Sequence, residues 1–182
     1  MTTRRNDPDR RQRIIQAALT VITELGVAGC THRSVAAAAG VPLGSMTYHF
    51  DSREDLILQA FNLLSDTMLQ RWRARLAGVE SPAQALSVLV DWVCGDGAVS
   101  GPSLLPMVEI YVHAARNPQA RALMRRWAGQ VQGELHRWFD APTTRALDAC
   151  IEGIILHNAY NDGAIGRSEV QALLGRVTGL VP

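Results

Sequence analysis

The chain has no lysine, so every one of its 18 fixed side-chain cations is an arginine. Guanidinium groups suit bidentate contacts to phosphate and guanine. Genomic base composition is the simpler origin of such a bias. Cysteine is scarce too. Cys30, Cys94 and Cys150 are odd in number and scattered, with no CxxC or Cys/His ligand spacing. That excludes a disulfide framework and a zinc site and leaves small, reduced core residues. No apolar run reaches the roughly 20 residues that cross a bilayer. The first residues, MTTRRNDPDRRQR, lack the apolar stretch of a secretory signal, so a cytoplasmic location and no membrane partner are expected. Nucleophile elbow, phosphate loop, HExxH and metal cluster are all missing, which argues against an enzyme and predicts no metal and no cofactor.

What is present is an uneven charge. The net is only +1, and 19% of residues are charged. Residues 1–50 hold six Arg against three acids, and residues 51–182 hold twelve Arg against fourteen acids. The basic excess therefore lies in the first third, as a DNA-facing surface requires. A length of 182 residues suits one domain, or a small domain fused to a larger one.

Residues 31–55, THRSVAAAAGVPLGSMTYHFDSRED, carry the strongest pattern. Thr31 is a good N-cap. His32–Ala39 contains four alanines in a row, the best helix formers. Gly40 suits the left-handed position that ends a helix, and Pro42 suits the first turn of the next. A second short helix runs from about Leu43 to His49. Ser52-Arg53-Glu54-Asp55 resembles a capping box with Asp55 at the usual Glu position. Two short helices joined by a three- or four-residue turn with glycine match the helix-turn-helix that places a helix in the major groove. A plain helical hairpin with small residues at the crossing has the same local pattern.

At these residues the chain resembles the TetR family of bacterial transcriptional repressors. The resemblance rests on RIIQAALTVITELG, CTHRSVAAAAGVPLGSMTYHF and DSREDLILQAF, within residues 13–61. It implies an all-α protein of about nine helices. Residues 1–52 would be a three-helix DNA-binding domain, and residues 53–182 a helical effector-binding and dimerisation domain. The implied partners are a palindromic duplex operator, a second copy of the chain and a largely apolar small-molecule effector. An effector held between helices 4 to 8 would bias helix 4, tilt the motif and release DNA. A DNA-binding regulator without an effector is the alternative reading, with a helical enzyme behind it.

By match to the motif, Thr31, His32 and Arg33 begin the first motif helix near the backbone and groove. Arg33 is placed to fork onto guanine O6 and N7, or onto a phosphate. Leu43, Gly44, Ser45 and Thr47 fall where the family meets bases, and Tyr48 and His49 where it contacts phosphate and packs the helix end. Arg53 falls where the family often has a phosphate-binding lysine. One departure matters: many members have tyrosine at the position of Thr47. Val41 and Phe50 are expected to anchor the motif to the core.

Elsewhere the pattern is helical throughout. Helices are expected over about Asp9–Leu25, Arg53–Leu76, Pro82–Cys94, Leu104–Arg116, Pro118–Phe139, Pro142–Asn161 and Ser168–Leu180, the last opened by a Ser168–Gln171 capping box. GDGAVSGPS, residues 95–103, reads as a loop, either a pocket gate or a linker. Trp92, Met107, Tyr111, Met124 and Trp127 are candidate linings of an apolar effector pocket. Glu109 and His113, four apart on one helix face, offer a polar handle to an effector or an interhelical contact. A dimer surface is expected on the eighth and ninth helices, with Ile151, Gly153, Ile154, His157, Val170 and Leu173 as candidates. His157, Asn158 and Tyr160 form a polar cluster facing pocket, partner or solvent.

Overall fold

The computed structural model describes residues 8–95, 103–161 and 165–180. The expected loop at 95–103 therefore lies, apart from its two ends, outside the described residues. Among the described residues the fold is all-α, with nine helices and no strand: α1 (Arg10–Gly29), α2 (His32–Ala39), α3 (Gly44–His49), α4 (Arg53–Leu76), α5 (Pro82–Cys94), α6 (Leu105–Arg116), α7 (Pro118–Leu135), α8 (Ala141–Tyr160) and α9 (Arg167–Thr178). No helix among them is long and apolar enough to cross a membrane.

The chain forms two compact units. The first comprises the residues up to Thr67 together with Leu105–Met124; the second comprises Met68–Leu104 and Arg125 onward. Both α4 and α7 contribute residues to both units.

In the first unit, α1 turns Ile14, Ile15, Ala18, Val21 and Ile22 inward at helical spacing. They meet Val35 and Ala36 of α2, Met46 and Phe50 from the α3 segment, and Leu56, Ile57, Ala60 and Phe61 of α4. Ile110 and Leu123 complete this core from α6 and α7. Fully burying such a side chain contributes about 1.5–3 kcal/mol, so the core ties α6 to the N-terminal helices. Phe50 is 3% exposed and anchors the motif as expected, while Val41 is partly buried against the same core.

The second unit is built on the end of α4, α5, the end of α7, α8 and α9. Leu86, Leu89, Val90 and Val93 of α5 are buried, as are Leu147, Ile151, Ile154 and Ile155 of α8 and Val170 and Leu174 of α9. Trp72 packs edge-on against Trp92, with ring centroids 4.8 Å apart. On α8, Asp148 is partly buried and accepts from the Gln132 amide at 2.9 Å. Burial pushes its carboxyl pKa up, against a smaller downward pull from that hydrogen bond.

Local chemistry explains most helix ends. Thr31 and Ser34 form a reciprocal capping box at α2. Gly40 ends α2 with φ 63°. Ser81 and Asp140 cap α5 and α8 by accepting from Gln84 N–H and Thr143 N–H. Three expectations need correction. Gly26 does interrupt α1, with φ 71° and ψ 174°, but one more helical turn follows it, to Gly29. Helix α7 stops at Leu135 instead of Phe139, because the chain must become extended at Asp140 to cap α8. The capping box at Ser168 is not made: α9 starts one residue earlier, its N-cap is Gly166, and Ser168 lies inside the first turn. The Val170 amide closes that turn on the Gly166 carbonyl at 2.9 Å and seats the Val170 side chain in the core.

Candidate nucleic-acid interface

The motif is assembled around one short backbone strap, Gly26–Cys30, which ends α1 and leads into Thr31. The interruption at Gly26 leaves the Val27 N–H without its helical acceptor. Glu109 of α6 accepts from it at 2.8 Å. On the other side, Arg53 at the start of α4 donates through Nε to the Cys30 carbonyl at 2.7 Å, and through Nη2 to the Val27 carbonyl. The Ser34 hydroxyl of α2 donates to the Gly29 carbonyl at 2.7 Å. Thr31 N–H donates to Ser34 Oγ at 2.9 Å, and Ser34 N–H to Thr31 Oγ1 at 3.1 Å. Side chains from α2, α4 and α6 thus satisfy the polar backbone groups that a helix end leaves over.

The short helix α3 faces two ways. Met46 is fully buried, whereas Leu43 is 51% and Tyr48 83% exposed. Gly44 and Thr47 are exposed beside them, and a Cβ added at Gly44 would meet nothing within 4 Å. The Thr47 hydroxyl donates to the Gly44 carbonyl at 3.3 Å, leaving its lone pairs for another donor. Ser45 and His49 are partly buried, and the His49 ring stands edge-on to Tyr48 at 4.8 Å. Thr31 and Arg33 are exposed at the start of α2. His32 is partly buried, and its Nε2 is shielded from solvent with no hydrogen-bond partner among the described residues. Arg11 lies over the Phe50 ring at 5.4 Å. The structure therefore brings Arg33, Leu43, Gly44, Thr47 and Tyr48 to exposed positions on α2 and α3.

Arg53 stands apart from that group. Its guanidinium is engaged with α1 carbonyls, a role that the Ser-Arg-Glu helix start does not betray. The expected Ser52 cap is made, with Asp55 N–H donating to Ser52 Oγ at 3.0 Å. The return bond comes from Asp51 N–H to Asp55 Oδ2 at 3.3 Å, one residue earlier than in a standard box. Cys30, on the strap, is buried, and burial pushes its thiol up to about 11, against a smaller downward pull from Arg53. It stays protonated and unreactive at neutral pH.

The expected effector residues divide between the units. Met107, Glu109, Tyr111, His113 and Met124 lie in the first, and Trp92 and Trp127 in the second. The α6 pair has partners within the first unit. Glu109 holds Val27, and His113 Nε2 lies 2.8 Å from Glu54 Oε1, which also accepts from the Asn117 amide at 2.6 Å. Arg71 and Arg75 flank the Trp92 ring at 5.8 and 5.6 Å. Trp127 Nε1 is buried without a hydrogen-bond partner among the described residues. Of the expected dimer residues, Ile151, Ile154 and Val170 face the core of the second unit. Leu173 and Gly153 are partly buried, and His157 is exposed. Ala146 and Ala149, outside the expectations, share the outward stripe of α8 with Gly153, His157 and Tyr160. Asn158 turns back to accept from the Ile165 N–H at 2.8 Å.

A capped helix, a glycine turn and a short helix with an exposed aromatic define a helix-turn-helix DNA-binding regulator. Comparison with known proteins makes the class specific. Residues 14–60 match the model of bacterial regulatory proteins of the tetR family, and residues 78–180 match a tetracyclin repressor-like C-terminal domain. The chain belongs to the TetR family of transcriptional regulators, which are not enzymes. SCO7518 of Streptomyces coelicolor A3(2) is 36% identical, with a TM-score of 0.86 over 94% of this chain and 99% of that one. The multidrug binding protein EbrR, in its complex with ethidium, is 36% identical with a TM-score of 0.77, over 94% of this chain and 99% of that one. The HTH-type transcriptional regulator BetI of Serratia proteamaculans is 24% identical over 176 residues, 91% of this chain and 89% of its own length.

Proposed function

We propose that the protein is a dimeric, ligand-released repressor that acts in the cytoplasm. Residues 1–52 would read a palindromic operator, and residues 53–182 would bind an effector and the second subunit. The observation that carries the DNA reading is the exposed edge of α2 and α3. Tyr48 is 83% and Leu43 51% exposed while Met46 and Phe50 are buried, so these side chains are held outward by a packed motif. Arg33 would contact a guanine edge or a phosphate, Leu43 a thymine methyl, and Tyr48 a phosphate. One motif reads too few base pairs for tight specificity, and a dimer solves this by presenting two at fixed spacing. The outward stripe of α8 supports a dimer. Ala146, Ala149 and Gly153 are small, and a Cβ added at Gly153 would meet nothing within 4 Å of the same chain, leaving room for close approach of a second helix.

The effector reading draws on EbrR, which has been solved with ethidium, proflavin and malachite green. These are aromatic cations with delocalised charge, and by analogy the effector is a largely apolar aromatic molecule. Helix α4 has residues in both units, so a ligand-favoured shift at one end is transmitted covalently to the other. The ligand shifts the equilibrium only by its differential affinity for the two states. Duplexes selected from random DNA by the protein test the whole reading. Binding should be steeply salt-dependent, should favour inverted repeats, and should weaken when ethidium is added. Selection of no common sequence would refute operator binding. Unchanged affinity in the presence of every ligand that raises the melting temperature would refute release by an effector.

A further inference from the structure

The strap Gly26–Cys30 is gripped from two sides at a single residue. Glu109 of α6 accepts from the Val27 N–H at 2.8 Å, and Arg53 of α4 donates to the Val27 carbonyl and, at 2.7 Å, to that of Cys30. The next residue, Thr31, caps α2. The local geometry leaves little room for an alternative. Gly26 has φ 71°, and a Cβ there would sit 2.8 Å from Glu109 Oε1. The carboxylate therefore occupies the space that a side chain at position 26 would need.

We infer that Arg53 and Glu109 form a clamp on Val27 that positions the motif for DNA, so that Arg53 acts through the strap and not as a phosphate contact. A guanidinium can fork onto two carbonyls, and a lysine ammonium at the same place cannot match that planar fork. The Ser34 hydroxyl, which donates to the Gly29 carbonyl at 2.7 Å, passes the position of the strap to α2. Glu109 accordingly gives α6 a direct hold on the strap that leads into the first motif helix. His113 and Asn117, each on Glu54 Oε1, hold α6 to the first turn of α4 beside Arg53. The effect on DNA affinity rests on the operator-binding reading above; the clamp itself does not.

The experiment has two arms on the full-length protein. The first needs no DNA: amide exchange at Val27 in wild type, E109A, E109Q and R53K. Glutamine keeps an acceptor oxygen, so E109Q should retain protection, while E109A should exchange at least about tenfold faster. Unchanged Val27 exchange in E109A overturns the clamp. The second arm measures affinity for a duplex selected by the wild-type protein, over a range of salt, for R53K, R53Q and E109A. Clamp loss predicts affinity about five- to twentyfold weaker with the slope of log K against log salt preserved. A phosphate contact predicts instead that R53Q lowers that slope by about 0.9 per contact and that R53K restores it. That second pattern overturns the assignment of Arg53. If the wild type binds no duplex, the operator reading fails, and the exchange arm still decides the clamp.

Discussion

Replacing Gly26 with alanine tests the structural logic of the strap most directly. The backbone there has φ 71° and ψ 174°, a region that is essentially glycine-only. Holding an L-residue in it costs about 1–3 kcal/mol. The new Cβ would also lie 2.8 Å from Glu109 Oε1 and 3.3 Å from its Cδ, so the carboxylate must move. That withdraws a charged acceptor from the Val27 N–H, a loss of about 1.5–3 kcal/mol, toward the lower end at this partly exposed site. Alanine restricts the unfolded chain and returns about 0.4–1 kcal/mol. The net is a destabilisation of about 3 kcal/mol, roughly 6–12 °C in melting temperature for a chain of this size. Urea unfolding followed by circular dichroism measures it. Gly78 is the control: its φ is 77°, but a Cβ added there meets nothing within 4 Å, so Gly78→Ala should lose only the left-handed strain, about 1 kcal/mol. Gly26→Ala and Glu109→Ala remove the same hydrogen bond, so the double variant should be less destabilised than the two singles combined. Strict additivity, or a Gly26→Ala variant within about 1 kcal/mol of wild type, would refute the reasoning.

Thr31→Ala removes one half of the α2 capping box and should lower stability by about 1 kcal/mol in thermal unfolding; no change would mean that Ser34 alone suffices. Tyr48→Ala should leave the melting temperature unaltered, because the ring is 83% exposed, while weakening every duplex about equally. Arg33→Ala should cost about 1–3 kcal/mol of binding and relax selection at one base pair; a uniform loss would mark a phosphate contact instead. Asp148→Asn tests the partly buried carboxylate of α8. Its folded pKa is raised above the ordinary 3.8 by burial, so the contribution of this one group to stability is fully present below that value and is lost as pH rises through the folded pKa. Asparagine keeps an acceptor for Gln132 without the charge, so the variant should gain on wild type as pH rises from about 3.5 to 7 in urea titrations. A stability difference between variant and wild type that stays constant from about pH 3.5 to 7 contradicts this.

The helices were legible wherever local chemistry decides. The bounds of α2 and α4 follow from Thr31, Gly40 and the Ser52 start, and α5 from Ser81 and Pro82. The errors fall where a distant residue outvotes the local pattern. Ser168 has every local mark of an N-cap, yet burial of Val170 and the Gly166–Val170 bond move the start of α9 forward. Ile151, Ile154 and Val170 are apolar at helical spacing, which cannot tell a dimer face from the core of one subunit. Here they line the core of the second unit, while the outward stripe of α8 carries Ala146, Ala149 and Gly153. The motif itself is short-range, so its buried anchor Phe50 and its exposed Leu43 and Tyr48 could be assigned before any packing was known.

Arg53, Glu109 and His113 show the limit from the other side. The arginine's residue type suggests an anionic backbone outside the chain, while the acid and imidazole leave an effector or an interhelical contact open, and the contact is what they make. Long side chains, however, answer to the nearest unpaired polar groups, and the break at Gly26 creates several. The interrupted helix leaves over a donor at Val27 and a carbonyl at Cys30, and burying them unpaired would cost more than orienting a flexible side chain toward them. The nearest long polar side chains on α4 and α6 are drawn in, and a glycine chosen for its backbone freedom fixes what its neighbours do. The same exchange places α6 one hydrogen bond from the residues that precede α2. Any force that displaces α6 must then either break the Val27 contact or carry the strap with it, so the proposed release of DNA would have a route through α6 as well as through α4.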